Sequence, residues 1–211
     1  MIYLYRKPEH DEYCVIGADP AEGNDYSTFV VISKKRGDVV MIGQSNEESP
    51  QLGHCLNHIG KYLKKLTGHF PLIAVERNVG SATIHVLKSL NYNNLFRMPD
   101  SFTKTDSEAT EQYGWITSSS TRPKMLDDLA LAIRQQAISI PSKLLIDELF
   151  TFIRNARTGK PEADTGCHDD LVMALAIAWQ LYQIAPNRTV QPSSFQQPQS
   201  QYQPHDEVIG I

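Results

Sequence analysis

The chain has 211 residues, of which 41% are apolar, and this length suits one α/β domain rather than two. Three isolated cysteines argue against a zinc ribbon or a secreted disulfide framework, and no apolar run approaches the roughly 20 residues that a membrane span requires. The net charge of −4 argues against tight binding of duplex DNA by this chain alone, because basic residues that neutralise phosphates supply most non-specific affinity.

The first part of the chain predicts three consecutive antiparallel strands. Residues 13–18 are a short apolar run that ends at Asp19, which is typical of a buried strand. Residues 27–33 and 38–43 continue the extended pattern. The segment KKRG at 34–37, between these two strands, predicts a hairpin turn.

Helical and extended patterns alternate along the rest of the chain. Residues 50–66 carry apolar side chains at helical spacing, and residues 72–75 form another apolar strand that ends at Glu76. Thr121 and Pro123 favour the start of a helix that runs to about residue 136, because threonine caps helices and proline is tolerated in a first turn. The other predicted elements are a helix at 81–90, short strands at 94–97 and 138–140, a helix at 143–150 and a final helix at 168–183.

This order of elements is typical of an RNase H-like domain, an α/β fold with a mixed β-sheet flanked by helices on both faces. We assign residues 1–185 to this domain. Residues 186–211 contain four prolines, six glutamines and three serines, a composition that favours a mobile tail. Its apolar end (Val208, Ile209 and Ile211) could dock on a partner, although an inert tail is the simpler interpretation.

Acidic residues stand at the ends of three predicted elements. Asp19 ends the first strand, Glu76 ends the fourth, and Asp169 and Asp170 open the last helix. Three converging carboxylates would hold hard divalent cations, and two ions about 4 Å apart can bind both the attacking water and the leaving oxygen of a phosphodiester. Each residue also has a structural explanation, since aspartate is common in turns and at helix starts. The combination of the three positions favours a metal site.

Six segments resemble, in order and spacing, the nuclease domain of the large terminase subunits of tailed bacteriophages. The three acidic segments are GADPAEGNDYS at 17–27, AVERNVG at 74–80 and HDDLVMALA at 168–176. The other three are YGWIT at 113–117, TRPK at 121–124 and ELFTF at 148–152. The resemblance covers about residues 13–182, and the third acidic segment with its long apolar continuation is the most specific.

The resemblance implies a two-metal-ion endonuclease that cuts concatemeric double-stranded viral DNA during genome packaging. Asp19, Glu76 and one or both of Asp169 and Asp170 would bind two Mg²⁺ or Mn²⁺ ions. The implied partners are double-stranded DNA, the ATPase half of the same subunit, the portal protein and the small terminase subunit. The implied location is the host cytoplasm, at the procapsid and without a membrane. Because the phosphate-binding loop of an ATPase is missing, we interpret the chain as a C-terminal domain that begins at an artificial Met1.

The identity of the third metal ligand stays open between Asp169 and Asp170. On an ideal helix Asp170 shares a face with Ala174 and Ile177, the face that we expect against the sheet, and this slightly favours Asp170. His168, directly before the pair, could be a ligand or an acid/base, but a structural role is favoured.

Further polar residues have both a functional and a structural interpretation. Asp25 could reach a metal, although a turn-forming role is favoured. Arg122 and Lys124 begin a helix next to the proposed site, where they could contact a phosphate, order water or simply be exposed. The candidates for a DNA-contacting arm are Arg154, Arg157 and Lys160, which could equally be a solvated loop.

Two rival functions remain. A junction-resolving nuclease of the same fold fits the segments YGWIT and TRPK, and the tail, less well. A nuclease-inactive docking module, whose tail binds a portal or capsid protein, would not need carboxylates at all three acidic positions. Metal-dependent cleavage of plasmid DNA distinguishes an enzyme from a docking module.

Overall fold

The computed structural model describes residues 1–21, 25–98, 112–155, 159 and 161–186. Arg157, Lys160 and tail residues 187–211 lie outside these ranges. Within them, none of the helices is both long and apolar enough to cross a membrane.

A five-stranded mixed sheet forms the centre of the fold. Its strands are β1 (Ile2–Leu4), β2 (Cys14–Asp19), β3 (Ser27–Ser33), β4 (Val39–Ser45) and β5 (Leu72–Val75), in the spatial order β1-β4-β3-β2-β5. The strands β2, β3 and β4 pair antiparallel, as the sequence predicts, whereas β5 runs parallel to β2. β3 is buried along its whole length, because its side chains meet a hydrophobic core on each face of the sheet.

Helices cover both faces of this sheet, which confirms the predicted fold class. On one face, α1 (Ser49–Thr67) and α2 (Ser81–Ser89) pack over a core that includes Leu56 and Leu87. The helices on the other face are α3 (Thr121–Arg134), α4 (Lys143–Thr151) and α5 (Asp170–Ile184). A separate two-stranded sheet of β6 (Phe152–Arg154) and β7 (Pro161–Ala163) directly follows α4.

The last helix, α5, lies in close contact with β2. Every residue from Leu171 to Leu181 is buried, because the helix packs between the sheet and the helices α3 and α4. Gly17 of β2 permits this approach: a Cβ there would lie 2.2 Å from the carbonyl oxygen of Ala174 and 2.3 Å from the backbone nitrogen of Ala178. The close contact of Gly17 with Ala174 and Ala178 therefore sets the position of α5 against the sheet.

A partly buried ionic network lies at the end of β2 opposite to Asp19. The Arg6 guanidinium donates to Glu12 Oε1 at 2.5 Å and to Asp38 Oδ2 at 2.7 Å. Ser33 also donates to Glu12, whose side chain is fully buried. Burial alone would raise the pKa of Glu12, but hydrogen bonds from Arg6, Ser33 and the Glu9 N–H outweigh it and lower the pKa to about 2.

The structure differs from the sequence prediction mainly in its short extended segments. Residues 94–97 form no continuous strand, since Leu95 bridges Ile73 and Arg97 bridges Tyr113 singly. Residues 138–140 likewise contribute one bridge, from Ser139 to Asp38. The sequence pattern did not reveal β1 or the β6–β7 hairpin, and α5 begins at residue 170 rather than at 168.

Candidate metal centre

Two of the predicted ligands stand side by side at one edge of the sheet. Asp19 is the last residue of β2, and Glu76 directly follows β5. The strands are parallel and in register, with Ala18 opposite Val75, and the backbone N–H of Glu76 donates to the carbonyl of Ala18 at 2.8 Å. The carboxyl-terminal ends of both strands therefore carry an acidic residue at the same level.

The third carboxylate arrives on α5. Asp170 is the first residue of the helix and is buried, with a relative exposure of 7%. Two hydrogen bonds attach it to the β3 end of the sheet: the Thr28 hydroxyl donates to its carbonyl at 2.9 Å, and the Tyr26 N–H donates to its Oδ2 at 3.2 Å. Thr28 pairs with Asp19 across β2 and β3, so these contacts bring Asp170 towards Asp19.

These carboxylates also act on one another electrostatically. Burial raises the pKa of Asp19 well above its ordinary value, and nearby carboxylates raise it further. The carboxylates that act on Asp19 are, in order of effect, Glu76, Asp170 and Asp169. Burial also raises the pKa of Asp170, to about 6, against the hydrogen bond from Tyr26. Crowded carboxylates of this kind repel one another, and a divalent cation would relieve that repulsion.

The two adjacent aspartates have different surroundings. Asp169 stands at the N-cap of α5, yet among the described residues its side chain makes no capping hydrogen bond. Its Oδ2 instead accepts from Arg122 Nη2 at 3.0 Å, and the same nitrogen lies 3.5 Å from the carbonyl of Pro161 in β7. Asp170 is therefore the member of the pair that faces the strand ends, while Asp169 faces the first turn of α3.

A second group of potential ligands shares Asp170. Asp25, His168 and Asp170 each offer one potential ligand atom, and these three atoms lie within 4.8 Å of one another. His168 Nδ1 is 3.6 Å from Asp170 Oδ2, and its ring packs edge-on against Tyr26 with centroids 4.8 Å apart. The structure thus places His168 and Asp25 beside a predicted ligand, although sequence reasoning favoured structural roles for both. The signals in the sequence were the adjacency of His168 to the aspartate pair and the place of Asp25 in the first acidic segment.

Glu148 in α4 was not predicted to belong to the site. Its side chain is buried, and its Oε2 accepts the backbone N–H groups of Leu171 at 2.9 Å and Val172 at 3.3 Å. Burial raises the pKa of Glu148 to about 8, and the charge of Asp170 acts in the same direction. In the sequence, Glu148 was identified only as the first residue of the ELFTF segment, and no role in the site was assigned to it.

The predicted basic residues are more dispersed. Arg122 pairs with Asp169 and also lowers the pKa of Asp19, so it lies at the edge of the acidic group. Lys124 is exposed in the first turn of α3. Arg154 is exposed in β6 and donates to the carbonyl of Gly159 at 2.7 Å. The structure does not describe Arg157 or Lys160, so the proposed arm can be followed only at Arg154.

The domain is RNase H-like: adjacent strand ends of a mixed sheet carry two carboxylates, and a helix packed across them begins with a third.

Two curated relatives, both named as the large subunit of terminase, match this chain over 185 residues. The protein of Thermus virus P23-45 is 30% identical and that of Thermus phage G20c 29%, each over 84% of this chain and 33% of the relative. The chain is therefore a homologue of the terminase large subunits. It spans about a third of the length of these relatives, and no family model matches it.

Solved structures show which part of the large subunit is matched. The large terminase nuclease of phage G20c with bound magnesium superposes with a TM-score of 0.64 at 24% identity, over 85% of this chain and 86% of the other. The nuclease domain of Thermus phage P74-26 gives 0.62 at 25% identity, over 88% and 87%. The human cytomegalovirus terminase nuclease domain, soaked in Mn, gives 0.55 at 12% identity, over 81% and 83%. The fold is that of a terminase nuclease domain.

Proposed function

We propose that this chain is a metal-dependent endonuclease that cuts concatemeric double-stranded viral DNA during genome packaging. The observation that carries the proposal is the convergence of Asp19, Glu76 and Asp170 from β2, the end of β5 and the start of α5. The relatives support it, since structures of the G20c terminase nuclease contain magnesium or cobalt. The activity would be phosphodiester hydrolysis.

We propose that the donor set holds two divalent cations. Asp19, Glu76 and Asp170 offer the oxygen ligands that Mg²⁺ and Mn²⁺ prefer. Asp25 and His168 offer a second position that shares Asp170. These residues would hold the cations, which would supply an activated water and stabilise the charge on the leaving oxygen, so no protein nucleophile would be needed.

The protein groups around the carboxylates have supporting roles. The N–H of Tyr26 and the hydroxyl of Thr28 keep Asp170 directed at the strand ends. Arg122 balances the charge of Asp169 and is proposed to contact the DNA backbone, as is Lys124, which is exposed on the same turn of α3. Arg154, together with Arg157 and Lys160, is proposed to contact phosphates farther along the duplex.

The charge of the chain and its similarity to terminase large subunits support a set of proposed partners. With a net charge of −4, the isolated chain should bind duplex DNA weakly and with a shallow salt dependence. We propose that an ATPase half of the same subunit holds the DNA and raises its local concentration at the nuclease. Residues 1–185 would form the nuclease unit, and the tail from 186 to 211 would contact the portal protein. The small terminase subunit is a further proposed partner, with the complex in the host cytoplasm at the procapsid.

Cleavage of supercoiled plasmid by the purified chain tests this function. Nicked and linear products should form with Mg²⁺ or Mn²⁺ and should disappear with EDTA. Asp19→Asn should lower the rate on the order of 10³-fold, through the loss of a ligand that stabilises the transition state. Asp147→Asn, an exposed aspartate on α4, is the matched control and should cleave normally.

The outcomes also separate the rival functions. Unchanged cleavage by a folded Asp19→Asn variant would show that the activity belongs to another protein in the preparation. Cleavage confined to four-way junctions would favour a junction-resolving nuclease. A folded chain that binds portal protein but cuts no DNA with either metal would favour the docking module.

A further inference from the structure

A side chain from a different helix caps the N-terminus of α5. The first backbone N–H groups of any helix lack partners within the helix, and a local N-cap side chain ordinarily accepts one at the second or third position. In α5 these positions are Leu171 and Val172, and both N–H groups donate to Oε2 of Glu148. Glu148 belongs to α4, more than twenty residues earlier in the chain.

The residue that stands at the N-cap is engaged elsewhere. Asp169 is of a type that caps helices well, yet its carboxylate pairs with Arg122 at 3.0 Å. Glu148 therefore caps α5 in place of Asp169, although its carboxylate is then buried near Asp170, which is energetically unfavourable. A cap that served only helix stability would not require this arrangement, because a local serine or aspartate satisfies the same groups in contact with solvent.

Glu148 is itself held firmly. Its neighbour Leu145 is fully buried on the same side of α4, and Ser142 caps that helix by accepting the Leu145 N–H at 3.2 Å. The Glu148 carboxylate thus joins two helices, and its position does not depend on a flexible loop. A movement of Glu148 away from α5 would release the first turn of α5.

The first turn of α5 decides where Asp170 points. Thr28 and Tyr26 hold Asp170 from the sheet side, through its carbonyl and its carboxylate. Glu148 holds the two residues that follow Asp170 from the opposite side. We propose that Glu148 is a positioning residue that keeps the Asp170 carboxylate aligned with Asp19 and Glu76 for cation binding. This inference rests on the metal-dependent function proposed above.

Manganese binding by three variants tests this role without measuring DNA cleavage. Free Mn²⁺ is followed by electron paramagnetic resonance during titration of the whole chain. Glu148→Ala removes the acceptor, and Glu148→Asp withdraws it by one methylene, so both should weaken Mn²⁺ binding on the order of ten- to a hundredfold, as for other groups that orient metal ligands. Glu148→Gln keeps an oxygen acceptor at the same reach and should bind Mn²⁺ nearly as tightly as the parent.

A control separates positioning from general loosening of the fold. Glu12→Ala also removes a buried, hydrogen-bonded carboxylate, but at the end of β2 opposite to Asp19. It should lower thermal stability and leave Mn²⁺ affinity unchanged. If Glu148→Ala does not fold, as judged by circular dichroism, the Glu148→Asp variant decides the question.

Each result bears on a different claim. Unchanged Mn²⁺ affinity in folded Glu148→Ala and Glu148→Asp variants would overturn the positioning role, while the proposed function would stand. An equal loss in Glu12→Ala, or in Glu148→Gln, would also overturn it. Failure of the parent chain to bind Mn²⁺ would contradict the proposed function and remove the basis of this inference as well.

Discussion

The guanidinium of Arg122 lies 3.0 Å from a carboxylate oxygen of Asp169, whereas the adjacent Asp170 accepts the backbone N–H of Tyr26. Two consecutive acidic residues therefore have partners of different kinds. Asp169 is balanced by a cation and is partly exposed, while Asp170 is buried near Asp19. This difference favours Asp170 as the proposed metal ligand, whereas Asp169 forms an ion pair that positions Arg122.

The first prediction compares the two aspartates by substitution with asparagine. Asp170→Asn should lower metal-dependent plasmid cleavage on the order of 10³-fold, because it removes a carboxylate that both potential cation positions share. Asp169→Asn should cost no more than about tenfold, since a partly exposed ion pair contributes about 1 kcal/mol or less. The measurement is the initial cleavage rate in Mn²⁺ at matched protein concentration. Equal losses in the two variants would contradict this division.

The second prediction concerns the contact between α5 and the sheet. Gly17→Ala would place a Cβ against the backbone of Ala174 and Ala178, which cannot move aside as a side chain can. We expect a loss of about 1–3 kcal/mol or more in the free energy of unfolding, together with weaker Mn²⁺ binding as the start of α5 shifts. Urea denaturation and a Mn²⁺ titration measure the two effects. A variant as stable as the parent would show that the approach is looser than the structure indicates.

The third prediction concerns acid stability. Because the pKa of Glu12 is lowered to about 2 in the folded protein, its contribution to stability is complete above about pH 4.5, its ordinary pKa. That contribution should be lost as the pH falls from about 4.5 to about 2, since protonation breaks the bond with Arg6. Glu12→Gln should be less stable than the parent at neutral pH, and its free energy of unfolding should fall less steeply in that window. Parallel curves for the two proteins would contradict the assignment.

The fourth prediction concerns the tail. Deletion of residues 186–211 should leave plasmid cleavage intact, because the tail lies outside every acidic segment. The same deletion should reduce DNA packaging in a reconstituted system with portal-bearing procapsids, if the apolar end contacts the portal. Loss of cleavage, or packaging at the normal level, would show that this division of labour is wrong.

The acidic residues at the ends of strands could be identified from the sequence because the strands themselves could be predicted. Asp19 and Glu76 each follow a short apolar run, and the pairing of β2 with β5 then brings them together. The face of α5 that meets the sheet was also predicted, since Ala174 contacts β2 at Gly17. At these positions the local sequence pattern was sufficient to predict the tertiary contact.

Residues that act through tertiary contacts left no such pattern. Glu148 lies in a short helix where a charged residue is ordinarily exposed, and its burial depends on where α5 begins. His168 lies outside the helix that the sequence placed it in, and its neighbour Asp25 comes from a different part of the chain. The segment 94–97 had the apolar character of a strand, but only single bridges form there. No periodicity along the chain specifies contacts of this kind.

The burial of α5 on nearly all sides has a consequence for the order of events during synthesis. Asp170 reaches Asp19 only when this helix has docked on β2, and the helix is formed by residues that leave the ribosome long after β2. A nascent chain that has folded its sheet and α1 would still lack the third carboxylate. Assembly of the proposed cation-binding group would therefore wait until α5 has docked, and a chain that ends before α5 would lack the third carboxylate of the proposed site.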